Sequence, residues 1–262
     1  MIDDVALNDL LSRLDSLPRT SLALLPTPIQ PLLNLSASLA GPDLWMKRDD
    51  LSGLEGGGNK TRKLEYLVGD ALRQGADMLV TVGAIQSNHT RQTAAAAAKA
   101  GLKCALLHCA WTKDAGPNYR TVGNLLLSHL MGAELFAEET VRPIEDQGPL
   151  DVFMTYLKGQ GHSPYLIPGG ASEHRYGSMG YIRCAAEIAA QSAQSGVDFD
   201  YLVHCTGSSS TQAGLLAGFA ALGTRTRVIG VSDDDELGIK KARVQNLAND
   251  ALQELGLVQR VG

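Results

Sequence analysis

Apolar positions along the chain follow two rhythms. Leu7, Leu10, Leu11 and Leu14 repeat at helical spacing until Pro18 stops the pattern. An extended Pro26-Thr27-Pro28 link follows, and Pro31 suits the first turn of a helix running through Leu39. Residues 44–47 read as a short strand, and 61–74 as a helix with Leu64, Leu67, Val68 and Leu72 on one face. From Asp77 onward short β-rich runs alternate with helical ones. Strands are predicted over 78–82, 104–108, 135–137, 165–167, 201–204 and 228–231. Helices over 87–100, 119–131, 177–195, 211–222 and 237–255 accompany them. Short apolar strands spaced by helices predict an α/β fold of parallel sheets covered on both faces.

Composition narrows the picture without changing it. The 262 residues hold 44% hydrophobic and 19% charged positions, the balance of a globular protein with a substantial core. A net charge of -5 with scattered basic residues gives no reason to expect nucleic acid or an anionic membrane as partner. The Ala-rich run 94–98 is far too short to span a bilayer, and no signal-peptide pattern opens the chain. The four cysteines, Cys104, Cys109, Cys184 and Cys205, form no CxxC pair and have no histidine at metal-ligand spacing. A cytoplasmic, reduced protein without a metal centre is expected. Candidate domain boundaries are Gly75-Ala76 and the Gly-rich stretch 168–180.

Candidate chemistry gathers at three places. Gly56-Gly57-Gly58-Asn59 turns tightly into the helix that carries Lys60, Arg62 and Lys63. Neighbouring cations and the positive helix end disfavour a protonated Lys60, and a neutral amine is what carbonyl chemistry needs. The stretch is one residue from the phosphate loop G-x-x-x-x-G-K-[ST], but Asn59 separates glycine from lysine and the preceding strand is polar, so a nucleotide triphosphatase is disfavoured. Gln86-Ser87-Asn88-His89 follows an apolar strand and opens a helix, where Ser87 and Asn88 serve as caps or as donors to a carboxylate or phenolate. Thr206-Gly207-Ser208-Ser209-Ser210-Thr211 joins a strand to a helix and offers amides, hydroxyls and a positive helix end to a phosphate. One lysine, one polar helix start and one phosphate cup together fit pyridoxal 5′-phosphate.

Here the sequence resembles a known family. Lys47-Arg48-Asp49-Asp50, Gly57-Gly58-Asn59-Lys60-Thr61-Arg62-Lys63-Leu64-Glu65 and Gln86-Ser87-Asn88-His89-Thr90-Arg91-Gln92-Thr93-Ala94 are similar to the D-cysteine desulfhydrase and 1-aminocyclopropane-1-carboxylate deaminase family. Asn118-Tyr119, Gly123-Asn124, Gly132-Ala133, Thr206-Gly207 and Thr211-Gln212-Ala213-Gly214 extend the resemblance over nearly the whole chain. It implies the tryptophan-synthase β type of pyridoxal-phosphate fold. A large cofactor domain would comprise 1–65 and 170–262, and a smaller mobile domain 66–169. Lys60 would carry the cofactor as a Schiff base and act as the catalytic base. Asn88 would bond its phenolic oxygen, and Gly207, Ser208, Ser209, Ser210 and Thr211 would hold its phosphate. Ser87 would act in catalysis, and Ser87, Asn88 and His89 would meet the substrate. Ser208-Ser209-Ser210 departs from a more glycine-rich family pattern.

The phosphate loop also resembles L-cysteate sulfo-lyases of the same family. The expected activity is therefore a C–S lyase acting on L-cysteate or D-cysteine, giving pyruvate, ammonia and sulfite or sulfide. The alternative is deamination of 1-aminocyclopropane-1-carboxylate to 2-oxobutyrate, and a non-catalytic amino-acid or cofactor binder is the reading from another class. The resemblance further implies a homodimer. It also implies a C-terminal segment beyond Gly262, which in relatives carries an active-site tyrosine and the partner of the pyridine nitrogen.

Overall fold

Local signals start the first elements. In the computed structural model, which describes residues 3–110, 116–140, 148–232 and 234–262, the Asp3 carboxylate accepts from the Val5 amide and caps α1 (Asp4–Asp15). Pro31 does not open a helix. It ends β1 (Ile29–Pro31), which pairs antiparallel with β2 (Trp45–Lys47) around α2 (Leu33–Leu39). A two-stranded ribbon is all edge, and an edge tolerates a residue with no donor.

The helix α3 (Asn59–Arg73) starts earlier than the apolar pattern predicts, so Lys60 lies in its first turn. Leu64, Leu67 and Val68 are buried as expected, but so are Tyr66, Gly69 and Asp70 on the other faces. Leu72 is 41% exposed. The helix is central rather than amphipathic because close backbone approaches crowd it. A Cβ at Gly69 would lie 2.5 Å from the Arg19 nitrogen, and one at Gly180 would lie 2.3 Å from the Arg62 carbonyl oxygen.

Two parallel sheets flank this helix. The strands β3 (Met78–Ala84), β4 (Lys103–Cys109), β5 (Glu134–Glu138) and β6 (Pro164–Leu166) pair in the order β5-β4-β3-β6. With them go α4 (Asn88–Ala100), α5 (Gly123–Leu130) and α6 (Gly148–Gly159). The predicted start of α5 at 119 fails at Gly123, whose φ of 65° breaks a helical path. No helix was expected at α6, although Leu150, Phe153 and Leu157 have helical spacing and are buried, with Phe153 against Phe136. The second sheet pairs β7 (Tyr201–Cys205) with β8 (Arg227–Val231), beside α7 (Met179–Ser195), α8 (Ser210–Leu222) and α9 (Leu237–Glu254).

The expected cover on both faces holds for β3 and β4 but not for this second sheet. Leu202 and Val228 pack on Tyr181, Ile188 and Phe219, whereas Tyr201, Val203, Ile229 and Val231 are exposed. Gly75-Ala76 lies between α3 and β3, but the expected domain limits fall inside elements. The division at 65/66 cuts the continuous α3, and that at 169/170 cuts a 3-10 turn at Gly169–Ala171. No helix among the described residues is long and apolar enough to cross a membrane.

One buried ion cluster joins these pieces. The Arg62 guanidinium, 1% exposed, donates to both Asp49 oxygens at 2.8 Å and to both Glu187 oxygens at 2.9 Å. Thr27 and Tyr181 hydroxyls also reach Asp49, at 2.8 and 2.7 Å. Lys47 adds a 3.0 Å bond to Glu187 and a 2.8 Å bond to the Thr27 carbonyl. Burial works to raise the Asp49 pKa, but the hydrogen bonds and charge of Arg62 outweigh it and hold the carboxyl below its ordinary range. Arg62→Met removes the buried cation from two largely buried carboxylates, so it should cost about 3–5 kcal/mol of stability. Equilibrium urea unfolding reads this directly; a loss below about 1 kcal/mol would show that the cluster carries little.

Candidate active site

The turn before Lys60 is left-handed throughout. Gly53, Leu54, Glu55, Gly56, Gly57 and Gly58 all have positive φ, including the two side-chain-bearing residues at 52°. Such a run is unfavourable for Leu54 and Glu55 and persists only when its surroundings hold it. Arg91 of α4 supplies the hold, donating to the Glu55 carbonyl, to the Glu55 carboxylate at 2.7 Å and to the Gly57 carbonyl at 3.2 Å. The next residue, Gln92, accepts from the Thr61 amide at 3.0 Å and the Thr61 hydroxyl at 3.1 Å. A Cβ at Gly57 would sit 2.1 Å from the Asp50 carbonyl oxygen, so only glycine fits. These bonds tie the Lys60 turn to the helix that presents Asn88.

Lys60 and Asn88 line one cavity of about 650 Å³, together with Asn59, Gly207, Ser208, Ser209 and Thr211. The Asn59 amide donates to the Thr211 hydroxyl at 3.1 Å, joining the lysine turn to the loop after β7. Burial lowers the Lys60 pKa below its ordinary value, in the direction expected from sequence. The cause differs from that expectation. Arg62 contributes no resolved effect, because its charge is matched by Asp49 and Glu187, and desolvation alone accounts for the shift.

Lys63 is a residue that the motif reading passed over. Its side chain is fully buried, and its amine makes a 3.3 Å contact to the Gly170 carbonyl. Burial first, then the neighbouring Lys60, pushes its pKa well below the ordinary value. The i, i+3 spacing from Lys60 on one helix was the available signal. The amine does not line the cavity, and its neutral form is favoured where it lies.

The loop itself is built as an anion cradle. Ser209 sits at φ 72° ahead of α8, and no side chain caps that helix; the Ser210 amide donates to the Ser208 carbonyl at 3.0 Å, leaving the next amides of the first turn to a ligand. The Thr206 hydroxyl is buried without a partner. A phosphate would satisfy both, and the residues present therefore fit pyridoxal 5′-phosphate. Ser210 does not line the cavity; its buried hydroxyl bonds Ser172 at 2.8 Å. Among the described residues no cluster of histidine, cysteine or acidic groups could hold a metal.

Ser87 is the N-cap of α4, accepting from the His89 and Thr90 amides at 3.2 and 3.4 Å, with its own proton free to donate. His89 turns into the core. Its Nε2 meets the Thr81 hydroxyl at 2.8 Å, and that hydroxyl donates to the Ile167 carbonyl at 2.7 Å. Nε2 therefore carries the ring proton, leaving Nδ1 an unpartnered buried acceptor. A direct bond from this ring to a substrate carboxylate, as expected from sequence, has no donor to make it. Burial, with Lys60 and Lys63 adding to it, lowers the His89 pKa to about 3. The unfolded chain binds this proton near pH 6.5 and the native chain only near 3, so stability present above 6.5 is lost as pH falls. His89→Gln should remove that slope, up to ~1.4 kcal/mol per pH unit, from urea midpoints measured between pH 6.5 and 4. An unchanged slope would place the ring's titration elsewhere.

Fold and site together define a pyridoxal-phosphate enzyme of the tryptophan-synthase β class. The family model for pyridoxal-phosphate dependent enzymes matches residues 20–252, and the chain belongs to that family. Within it the chain joins the 1-aminocyclopropane-1-carboxylate deaminase and D-cysteine desulfhydrase group and is a lyase. It is 47% identical to the 1-aminocyclopropane-1-carboxylate deaminase of Burkholderia cenocepacia (strain HI2424) over 93% of its own length and 73% of that protein. A second deaminase, from Methylobacterium sp. (strain 4-46), is 47% identical over 85% of this chain and 67% of its own. A crystal structure of an ACC deaminase homologue, 38% identical, superposes with a TM-score of 0.85 over 97% of this chain and 74% of that one. The crystal structure of a T.th. threonine deaminase, 20% identical with a TM-score of 0.60 over 88% of this chain and 65% of that one, shares the fold. The deaminase relatives at 47% identity favour the alternative over the C–S lyase reading that the phosphate loop prompted.

Proposed function

We propose that the chain deaminates 1-aminocyclopropane-1-carboxylate, opening the ring to give 2-oxobutyrate and ammonia with uptake of one water. The observation that supports a lyase site most directly is Lys60, an amine whose pKa burial lowers, lining the same cavity as Asn88 and the anion cradle. The choice of substrate rests on the deaminases at 47% identity.

In this reading Lys60 anchors the cofactor's aldehyde carbon and, when released by substrate, holds and moves a proton. Pyridoxal 5′-phosphate supplies a ring that accepts electrons from the substrate's amino-bearing carbon. The α8 amides and the Gly207–Thr211 segment hold the phosphate. The Asn88 amide bonds the phenolic oxygen. The Ser87 hydroxyl, which caps α4 beside Asn88, takes the substrate carboxylate. Residues 66–169 are proposed to move as the smaller domain, with α3 as the shared element.

Side-by-side assay of 2-oxobutyrate, pyruvate, sulfide and sulfite tests the reading. Main turnover of 1-aminocyclopropane-1-carboxylate to 2-oxobutyrate is expected, and Lys60→Ala should reduce it by at least ~10⁴-fold because anchor and base are lost together. Pyruvate with sulfide from D-cysteine, or with sulfite from L-cysteate, as the dominant product would overturn the substrate in favour of C–S cleavage.

A further inference from the structure

Against the phosphate loop, outside the cavity lining, lies a buried lysine that the site description leaves unused. Lys240 of α9 is 4% exposed, and its amine donates to the Gly207 carbonyl. The same amine lies 2.8 Å from Asp234 Oδ1 and 3.0 Å from Asp235 Oδ2. Arg243 reaches Asp235 at 2.8 Å. Ser232 and the Asp235 amide donate to Asp234 Oδ1 at 2.6 and 2.9 Å. Lys240, Asp234 and Asp235 do not line the cavity, whereas Gly207, Ser208 and Ser209 do.

We propose that Lys240 is a positioning residue for the anion cradle, setting the 207–208 peptide and masking the two carboxylates behind it. The proposal rests on the assignment of this loop to the cofactor phosphate. The first part follows from peptide geometry. In a planar trans peptide the carbonyl oxygen and the following N–H point in opposite directions. With the Gly207 oxygen drawn back to Lys240, and also accepting from the Ser209 hydroxyl at 3.3 Å, the Ser208 N–H faces away from α9, toward the cavity. The second part is electrostatic. Asp234 Oδ2 lies 3.8 Å from the position a Cβ would take on Gly207, so a carboxylate stands just behind a loop meant for a dianion. Burial alone would raise its pKa, but Lys240 and Ser232 draw it down to about 2, so it is charged at neutral pH. Lys240 is the cation that contacts both that charge and the loop.

The test uses the full chain, stripped of cofactor and titrated separately with pyridoxal 5′-phosphate and with pyridoxal, which lacks the phosphate. Lys240→Met should weaken pyridoxal 5′-phosphate about tenfold or more while changing pyridoxal less than about twofold. Lys240→Arg should stay near the parent, and Asp234→Asn added to Lys240→Met should recover part of the loss. Equal weakening of both ligands would make Lys240 merely structural, and no weakening of either would also overturn the proposal. A parent protein that binds both ligands alike would instead overturn the phosphate assignment of the loop, and this inference with it.

Discussion

The arrangement depends on one buried guanidinium. Arg62 must stay charged where it has almost no access to water, and that is tolerable only because Asp49 and Glu187 each meet it through two bonds. The partners come from distant stretches of chain: Asp49 from the 3-10 turn after β2, Glu187 from α7. Satisfying one side chain therefore fixes three segments around the first turn of α3. Lys60 is two residues away, and its direction into the cavity follows from that anchoring.

The same cluster explains how two kinds of base coexist in one turn. Arg62 keeps its charge because its counter-ions are beside it. Lys60 and Lys63 are buried without such partners, and desolvation therefore disfavours their protonated forms. For Lys60 the shift thus comes from withheld compensation rather than from repulsion by neighbouring cations. On the far side of the cavity the loop after β7 has open helix amides and a backing lysine, so negative charge is welcome there. The left-handed turn at 53–58 is the expensive part, and Arg91 and Gln92 of α4 hold it.

Much of this was legible in the sequence. The alternation of strands and helices, Lys60 at the glycine turn and the serine-rich loop all lie where the pattern placed them. Long-range closure was not legible. Nothing local distinguishes Arg62, which pairs across 125 residues with Glu187, from an exposed helix arginine. The direction of the Lys60 shift could be read, yet its cause required knowing that the neighbouring cation was neutralised. The resemblance made His89 a substrate contact; that its ring instead bonds Thr81, a residue inside a strand, is not legible locally. Pro31 misled because a helix start and an edge strand both accept proline. The α6 pattern was present at Leu150, Phe153 and Leu157, but the face it buries comes from β3 and β4, with Phe136 of β5 packed alongside.

The account stands on Lys60 rather than Lys63 being the amine that takes the cofactor, although burial lowers the pKa of both and they are three residues apart. Borohydride reduction of the full chain loaded with pyridoxal 5′-phosphate, followed by proteolysis and fragment-ion mass mapping, separates them. The account predicts a single pyridoxyl group on Lys60 and none on Lys63. A label on Lys63, or one spread over surface lysines, would contradict it.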